Sequence, residues 1–294
     1  MAEELIADAI EQQNWLEPVE TGLHDAVTKT YEAAGPAGQK VKNFLHGTWL
    51  GHPLHPVLTD IPLGAWTATL VLDICEAAGD KRYAPAADLT LKIGLAGAVG
   101  AALAGLTDWQ ATDGGARRVG AVHGILNVTA AACYTASLIA RNGRNRQSGR
   151  TLACIGYAIG AASAWLGGNL VYAKKIGVNH TTAEGAPQDW TAVLDEAALP
   201  EDLPQRAQVN GLNILLVRRG GTVYAISETC SHLGGPLSEG KLEGDSIECP
   251  WHASRFCIKD GSVIDGPATH PQPRFDARVA NGKIEIRALQ NRQA

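Results

Sequence analysis

Residues 230–252, CSHLGGPLSEGKLEGDSIECPWH, carry two Cys-His pairs sixteen residues apart. Each pair, Cys230-Ser231-His232 and Cys249-Pro250-Trp251-His252, can project a thiolate and an imidazole from one tight loop toward a common point. Two thiolates and two imidazoles can bind a structural zinc. They can also bind a two-iron, two-sulfide cluster in which two histidines replace two cysteines on one iron. Spacing inside each pair does not decide between the two. A zinc finger usually separates Cys-Cys from His-His, whereas here each loop supplies one ligand of each kind. That mixture is what a site with one cysteine-ligated and one histidine-ligated iron requires.

Around this stretch the chain reads as β. The alternating runs NILLVRR, TVYAIS, SVID and KIEIRA are punctuated by Asn210-Gly211, Gly220-Gly221, Asp260-Gly261 and Asn281-Gly282, all strong hairpin dipeptides. The spacing predicts a small antiparallel β domain over residues 189–289.

The preceding part is different. Four apolar segments, roughly 57–75, 89–107, 119–140 and 151–173, each have about the length a helix needs to cross a bilayer core. The connectors between them carry the breakers and charges. Gly94-Ala98, Gly97-Ala101-Gly105 and Gly156-Gly160 repeat small residues four apart, which lets helices approach closely in lipid. Trp49 and Trp109 stand at segment ends, where interfacial tryptophans belong. Asp73, Lys92 and Asn127 interrupt the pattern, and a soluble Ala-rich bundle is the competing architecture. Such a bundle needs a polar stripe on each helix, which the second and fourth segments lack. The expectation is a four-helix transmembrane domain over residues 46–178, preceded by an amphipathic helical segment, 1–45, that lies on the membrane or covers the β domain.

Length and composition set the outer bounds. A chain of 294 residues favours two domains. Its net charge of −5 is spread as 8 acids and 3 bases over residues 1–45, 7 and 11 over 46–175, and 15 and 11 beyond, which excludes a nucleic-acid partner. Cys75, Cys133 and Cys154 lie inside apolar runs and do not form a secreted disulfide framework. The acidic start lacks the basic region and apolar run of a signal peptide, so a cell-membrane protein with cytoplasmic termini is expected. Basic residues on the two faces nearly balance. An up-down order of four helices gathers His52, His55, Asp60, Asp108, Trp109, His123, Asn127, Asn169 and Tyr172 near one surface. Of these, His55 and His123 are candidates to ligate a haem or to hydrogen-bond a quinone, against the plainer role of capping helices and satisfying loop backbone.

The motif C-x-H-x16-C-x2-H, with HLGGPLSEG after the first pair and CPWHASRF at the second, resembles a Rieske iron–sulfur domain. The resemblance implies one [2Fe–2S] cluster, with Cys230 and Cys249 on the inner iron and His232 and His252 on the outer, more exposed one. Rieske proteins of the cytochrome bc type carry an extra cysteine in each loop and join the two in a disulfide. Gly235 and Trp251 hold those places here. The resemblance is therefore to the Rieske ferredoxins of oxygenase systems and implies a potential toward the low end of the Rieske range. Ala253 stands where the family usually has glycine, which tightens the loop, and Cys257 is expected as a packed free thiol. The stretches HPLHPVLTDIPLGAW and GAVHGILNV resemble the membrane family known as domain of unknown function 2231, over about residues 45–180. That resemblance implies four membrane helices and no particular activity.

Together these features imply a multi-domain chain, a four-helix transmembrane bundle followed by a small all-β Rieske domain of antiparallel strands. No second domain offers the two histidines and one carboxylate of a mononuclear iron, so self-contained oxygenase activity is not expected. The expected function is a membrane-anchored electron-transfer protein, more a component than a complete oxidoreductase, partnered by the lipid bilayer and a redox protein and compatible with an oligomer. Its cluster would sit just outside the face where His55 and His123 gather. The alternative is a ferredoxin whose helices serve only as an anchor or docking module.

Overall fold

A computed structural model describes residues 2–289 and divides into two compact units. The first runs to Gly38 and resumes over Pro53–Ile176; the second comprises Gln39–His52 and the chain from Gly177 onward. The segment 39–52, which the sequence splits between the amphipathic start and the first membrane segment, thus packs with the β unit.

Seven helices form the N-terminal region: α1 (Ala2–Glu11), α2 (Glu17–Ala33), α3 (Gly35–His46), α4 (Leu54–Ala77), α5 (Ala84–Gln110), α6 (Gly114–Asn142) and α7 (Arg146–Tyr172). The last four contain the apolar segments to within one residue and are long and apolar enough to cross a membrane. Their starts are locally encoded. Pro53 precedes α4 and a proline occupies the first turn of α5, where its missing N–H costs nothing. Asn145 caps α7 by accepting the Ser148 N–H at 3.1 Å.

The helices α4 to α7 turn their apolar residues outward. Val57, Ile61, Val71, Ile74, Ile93, Val128 and Ile139 are exposed, while Thr69, Asp73, Ser137, Arg141 and Ser163 are buried. Water would invert that arrangement, since apolar surface drives inward and charge outward. Lipid tolerates it, because the polar groups find one another inside the bundle. Trp109, at the end of α5, faces the protein: its side chain is buried and its indole N–H donates to the Arg117 carbonyl at 2.8 Å. At the same end the Tyr31 and Thr107 hydroxyls bond at 2.6 Å, and Arg118 donates to the Glu11 carbonyl at 2.6 Å, tying α1 and α2 to the bundle.

Among its described residues the second unit holds ten strands: β1 (Thr191–Asp195), β2 (Gln205–Val209), β3 (Leu212–Arg219), β4 (Thr222–Ser227), β5 (Lys241–Glu243), β6 (Ser246–Glu248), β7 (Arg255–Cys257), β8 (Val263–Asp265), β9 (Arg274–Ala280) and β10 (Lys283–Ala288). Six form an antiparallel sheet in the order β1-β10-β9-β4-β3-β2, and four form a smaller one, β5-β6-β7-β8. Three of the sequence's hairpin dipeptides close two-residue loops. Asn210-Gly211, Gly220-Gly221 and Asn281-Gly282 all have positive φ at both positions, the form whose twist matches the flanking strands. β3 is buried on both faces. Leu212, Ile214 and Leu216 join one core with Phe275, Ile284 and Ile286, while Leu215 and Val217 join another with Ile226, Leu237, Ile247 and Phe256. Cys230 and Cys249 belong to that second core.

Candidate metal centre

Two loops leave the second core, one after β4 and one after β6, and their backbones bond alike. The Cys230 N–H donates to the Gly235 carbonyl and the Gly234 N–H to the Cys230 carbonyl, both at 2.9 Å. In the second loop the Cys249 N–H donates to the Ser254 carbonyl at 2.8 Å and the Ala253 N–H to the Cys249 carbonyl at 3.1 Å. Each loop therefore curls back over its cysteine, with the fourth residue beyond it in the left-handed region: Gly234 at φ +81° and Ala253 at φ +58°. Glycine bears this freely, whereas an L-residue with a Cβ pays about 1–2 kcal/mol. Relief of that strain, less the greater unfolded-state entropy of glycine, makes Ala253→Gly stabilising by about 0.5–1 kcal/mol. Denaturant unfolding of the purified protein measures it, and a lower midpoint would refute the strain.

The four candidate ligands arrive as two like pairs. The Cys230 and Cys249 thiols stand close enough to act on each other's ionisation. Cys230 pulls Cys249 down to about 7 against the opposing effect of burial, helped by the backbone N–H groups of Trp251 and His252. Cys249 pushes Cys230 up, as burial does too, while the N–H groups of His232 and Leu233 favour the thiolate. The His232 and His252 rings lie 5.0 Å apart, edge to face. A zinc ion wants all four on one point; two irons want a sulfur pair and a nitrogen pair.

One buried atom tests the fit directly. His232 Nδ1 is shielded from solvent without a hydrogen-bond partner, which costs roughly 1–3 kcal/mol unless something binds its lone pair. Burial, with His252, His46, His180 and Lys42 nearby, holds His232 well below the ordinary histidine range, so it stays in the neutral form that ligates metals. The donor set fits a [2Fe–2S] group.

The packing explains the missing disulfide positions. A Cβ on Gly235 would stand 2.8 Å from the Cys249 sulfur and 3.1 Å from the Trp251 ring, so no side chain fits there. Trp251 is itself 56% exposed at the tip of the second loop. Cys257 lies on β7, outside both loops, and none of the six cysteines forms a disulfide.

Supporting residues that the motif did not reveal surround the loops. Ser231 Oγ donates to the His270 carbonyl at 2.6 Å, and Ser254 Oγ accepts the Ala268 N–H at 3.0 Å. Segment 39–52 braces the chain beyond the second loop. Asn43 donates to Asp265 Oδ1 at 2.8 Å and accepts the Gly266 N–H at 3.1 Å, while His46 and Thr48 press on Gly266. A polar residue in a helix announces no such long-range contact, so only the serine beside each ligand pair offered a signal.

In the helical unit His55 and His123 come together, their rings 6.4 Å apart and perpendicular. Asn127 joins them through a 3.1 Å bond to His123 Nε2. Of the wider gathering that was expected, Asp60 and Tyr172 are exposed, and His52 belongs to the other unit.

A β domain that offers two thiols as one pair and two imidazoles as another, behind four long apolar helices, defines a Rieske-type iron–sulfur protein with a helical region. The profile described as "Rieske [2Fe-2S] domain" matches residues 189–276, and the one described as "Predicted membrane protein (DUF2231)" matches residues 51–180. The 3-phenylpropionate/cinnamic acid dioxygenase ferredoxin subunit of Escherichia coli (strain K12) is 45% identical over 74 residues, 25% of this chain and 70% of that protein. The subunit of the same name from Shigella boydii serotype 4 (strain Sb227) is 43% identical over the same length and shares. Among solved structures, the ferredoxin of carbazole 1,9a-dioxygenase from Nocardioides aromaticivorans IC177 is 30% identical, covering 35% of this chain and 100% of that one with a TM-score of 0.33. The chain belongs to the Rieske family, and its β domain is an electron carrier of the kind that holds one [2Fe–2S] cluster.

Proposed function

We propose that the protein is a membrane-anchored one-electron carrier in which Cys230 and Cys249 hold the inner iron and His232 and His252 the outer one. When bound, the cluster supplies reversible one-electron chemistry. The chain's own part is to hold two thiolates under backbone N–H groups, keep His232 neutral and leave Trp251 at the exposed tip for a partner. The observation that carries the assignment is the sorting of the four side chains into a sulfur pair and an imidazole pair on two loops of the same backbone form.

The anchor reading rests on the outward apolar surface and inward charge of α4 to α7. An even number of crossings returns the chain to its starting side, so in this reading both termini and the Rieske domain, over residues 189–289, share one side, the cytoplasmic one. The relatives are ferredoxin subunits of a dioxygenase, which favours a redox protein as partner. A path for the electron through a haem or quinone at His55 and His123 is the finer part of the reading. The other reading, helices that only anchor, predicts the same cluster and no second redox group.

Purified full-length protein should contain two irons and two labile sulfides per chain, and dithionite should elicit a Rieske-type EPR signal. The protein should stay with membranes through an alkaline carbonate wash. Zinc in place of iron would sink the cluster assignment, and release by carbonate would sink the anchor.

A further inference from the structure

The helical unit contains one hairpin twice. Numbering α4 against α6 with an offset of 68 aligns His55 with His123, Leu58 with Leu126, Thr67-Ala68 with Thr135-Ala136, Thr69 with Ser137 and Leu70 with Leu138. An offset of 62 aligns α5 with α7: Ile93-Gly94 with Ile155-Gly156, Ala102 with Ala164 and Gly105 with Gly167.

The contacts repeat as the letters do. The His55 imidazole bonds through Nδ1 to the Ala101 carbonyl at 2.8 Å, and His123 through Nδ1 to the equivalent Ser163 carbonyl at 2.8 Å. A Cβ on Gly105 would stand 2.7 Å from the His55 ring, and one on Gly167 would stand 3.1 Å from that of His123. Gly94 is packed against Trp66 as Gly156 is against Tyr134. Aligned residues then meet each other in three layers: the two histidines, Trp66 stacked on Tyr134 at 4.1 Å, and Asp73 paired with Arg141. That is the pattern of two copies related by a pseudo-two-fold axis along the bundle, the parallel form of internal repeat found in membrane proteins.

A pair on such an axis presents two equal faces to whatever lies between. Because a carbonyl only accepts, both Nδ1 atoms carry the proton, and both Nε2 atoms are left as lone pairs. The spacing selects the ligand. Two imidazoles on opposite sides of one metal ion, at about 2.0 Å from each nitrogen, put their ring centres roughly 6 Å apart, against 6.4 Å here. A quinone bridged by both would hold the nitrogens roughly 10 Å apart, two hydrogen bonds of about 2.8 Å plus the ring between. Two imidazoles alone leave a bare ion short of ligands. A metal that takes only two protein ligands, one per face, carries its other four with it.

Resting on the reading of α4 to α7 as a membrane bundle, we propose that His55 and His123 are the two axial ligands of one haem on the pseudo-two-fold axis. Asn127 donates to His123 Nε2 at 3.1 Å, a bond that binding would have to displace. Its counterpart Thr59 bonds the Pro56 carbonyl and makes no such demand on His55. Held by His55 and His123, such a group would supply one-electron chemistry, the same unit that the cluster carries.

The test is full-length protein, purified in detergent with its iron–sulfur content measured, before and after titration with haemin. One haem per chain is expected by pyridine haemochrome, with a Soret band and a highly anisotropic low-spin EPR signal from the perpendicular imidazoles. His55→Ala and His123→Ala should each lose the band while keeping two irons and two sulfides in the β domain; His24→Ala should keep both. Failure of cluster-loaded wild-type protein to bind haemin overturns the haem and leaves the carrier reading standing. A band that persists in both histidine variants marks adventitious haem and overturns it equally. Absence of the cluster itself would tell against the carrier reading instead.

Discussion

Cys249→Ala protein will be isolated with essentially no iron and no labile sulfide, and Cys230→Ala protein likewise. Both sulfurs are buried in the second core of the β unit, among Ile226, Leu237, Ile247 and Phe256. Removing one deletes a ligand and opens a void in the same act, so no neighbouring group can take its place. His232→Ala and His252→Ala remove ligands from the outer position and should lose the cluster too. Cys257→Ser is the control. Its side chain is on β7, outside both loops, and it should keep the full complement of two irons. Iron and sulfide analysis reads all five variants. Retention of the cluster in Cys249→Ala, with loss in Cys257→Ser, would assign the inner iron to the wrong thiol.

How much of this was written in the chain differs by region. Cys230, His232, Cys249 and His252 were legible because ligand chemistry needs fixed side chains at fixed spacing, and the hairpin dipeptides because only Asn and Gly enter the left-handed region cheaply. Ala253 was legible as an oddity but not as a strained residue, since that required seeing it take the place Gly234 has in the other loop. The existence of α4 to α7 followed from four unbroken apolar runs of about 20 residues each. The membership of Asn43 and His46 in the β unit did not follow from anything local: both lie in or at the end of a helix, and their partners are more than two hundred residues away. The duplication was present in the letters but diluted. The axis pairs a histidine with a histidine, yet one layer pairs Trp66 with Tyr134 and another Asp73 with Arg141. Across an axis the two copies need complementary partners rather than identical ones, and a search for identity passes over them.

Arg141→Ala will destabilise the helical unit by about 3–5 kcal/mol, the cost of leaving a buried charge without its partner. The Arg141 side chain is fully buried. It donates to Asp73 Oδ1 at 2.8 Å and to Asp73 Oδ2, to Asp88 at 3.0 Å and to the Ser137 hydroxyl at 3.1 Å. Loss of the guanidinium leaves the Asp73 carboxylate inside a bundle whose outer surface is apolar, with no water to replace the lost donors. Asp88 suffers less, because Arg146 also donates to it at 2.9 Å. The prediction separates electrostatic from packing loss through a second variant. Asp73→Leu/Arg141→Met removes both charges and refills the volume, and replacing a buried ion pair by apolar residues is often neutral. The double variant should therefore recover most of the stability that Arg141→Ala loses, a coupling well above the few tenths of a kcal/mol expected for independent sites. Thermal unfolding in detergent, followed by helical circular dichroism, measures all three proteins. If the double variant is no more stable than Arg141→Ala, the pair contributes through the space it fills, and the inward placement of charge in this bundle owes nothing to the bond between Asp73 and Arg141.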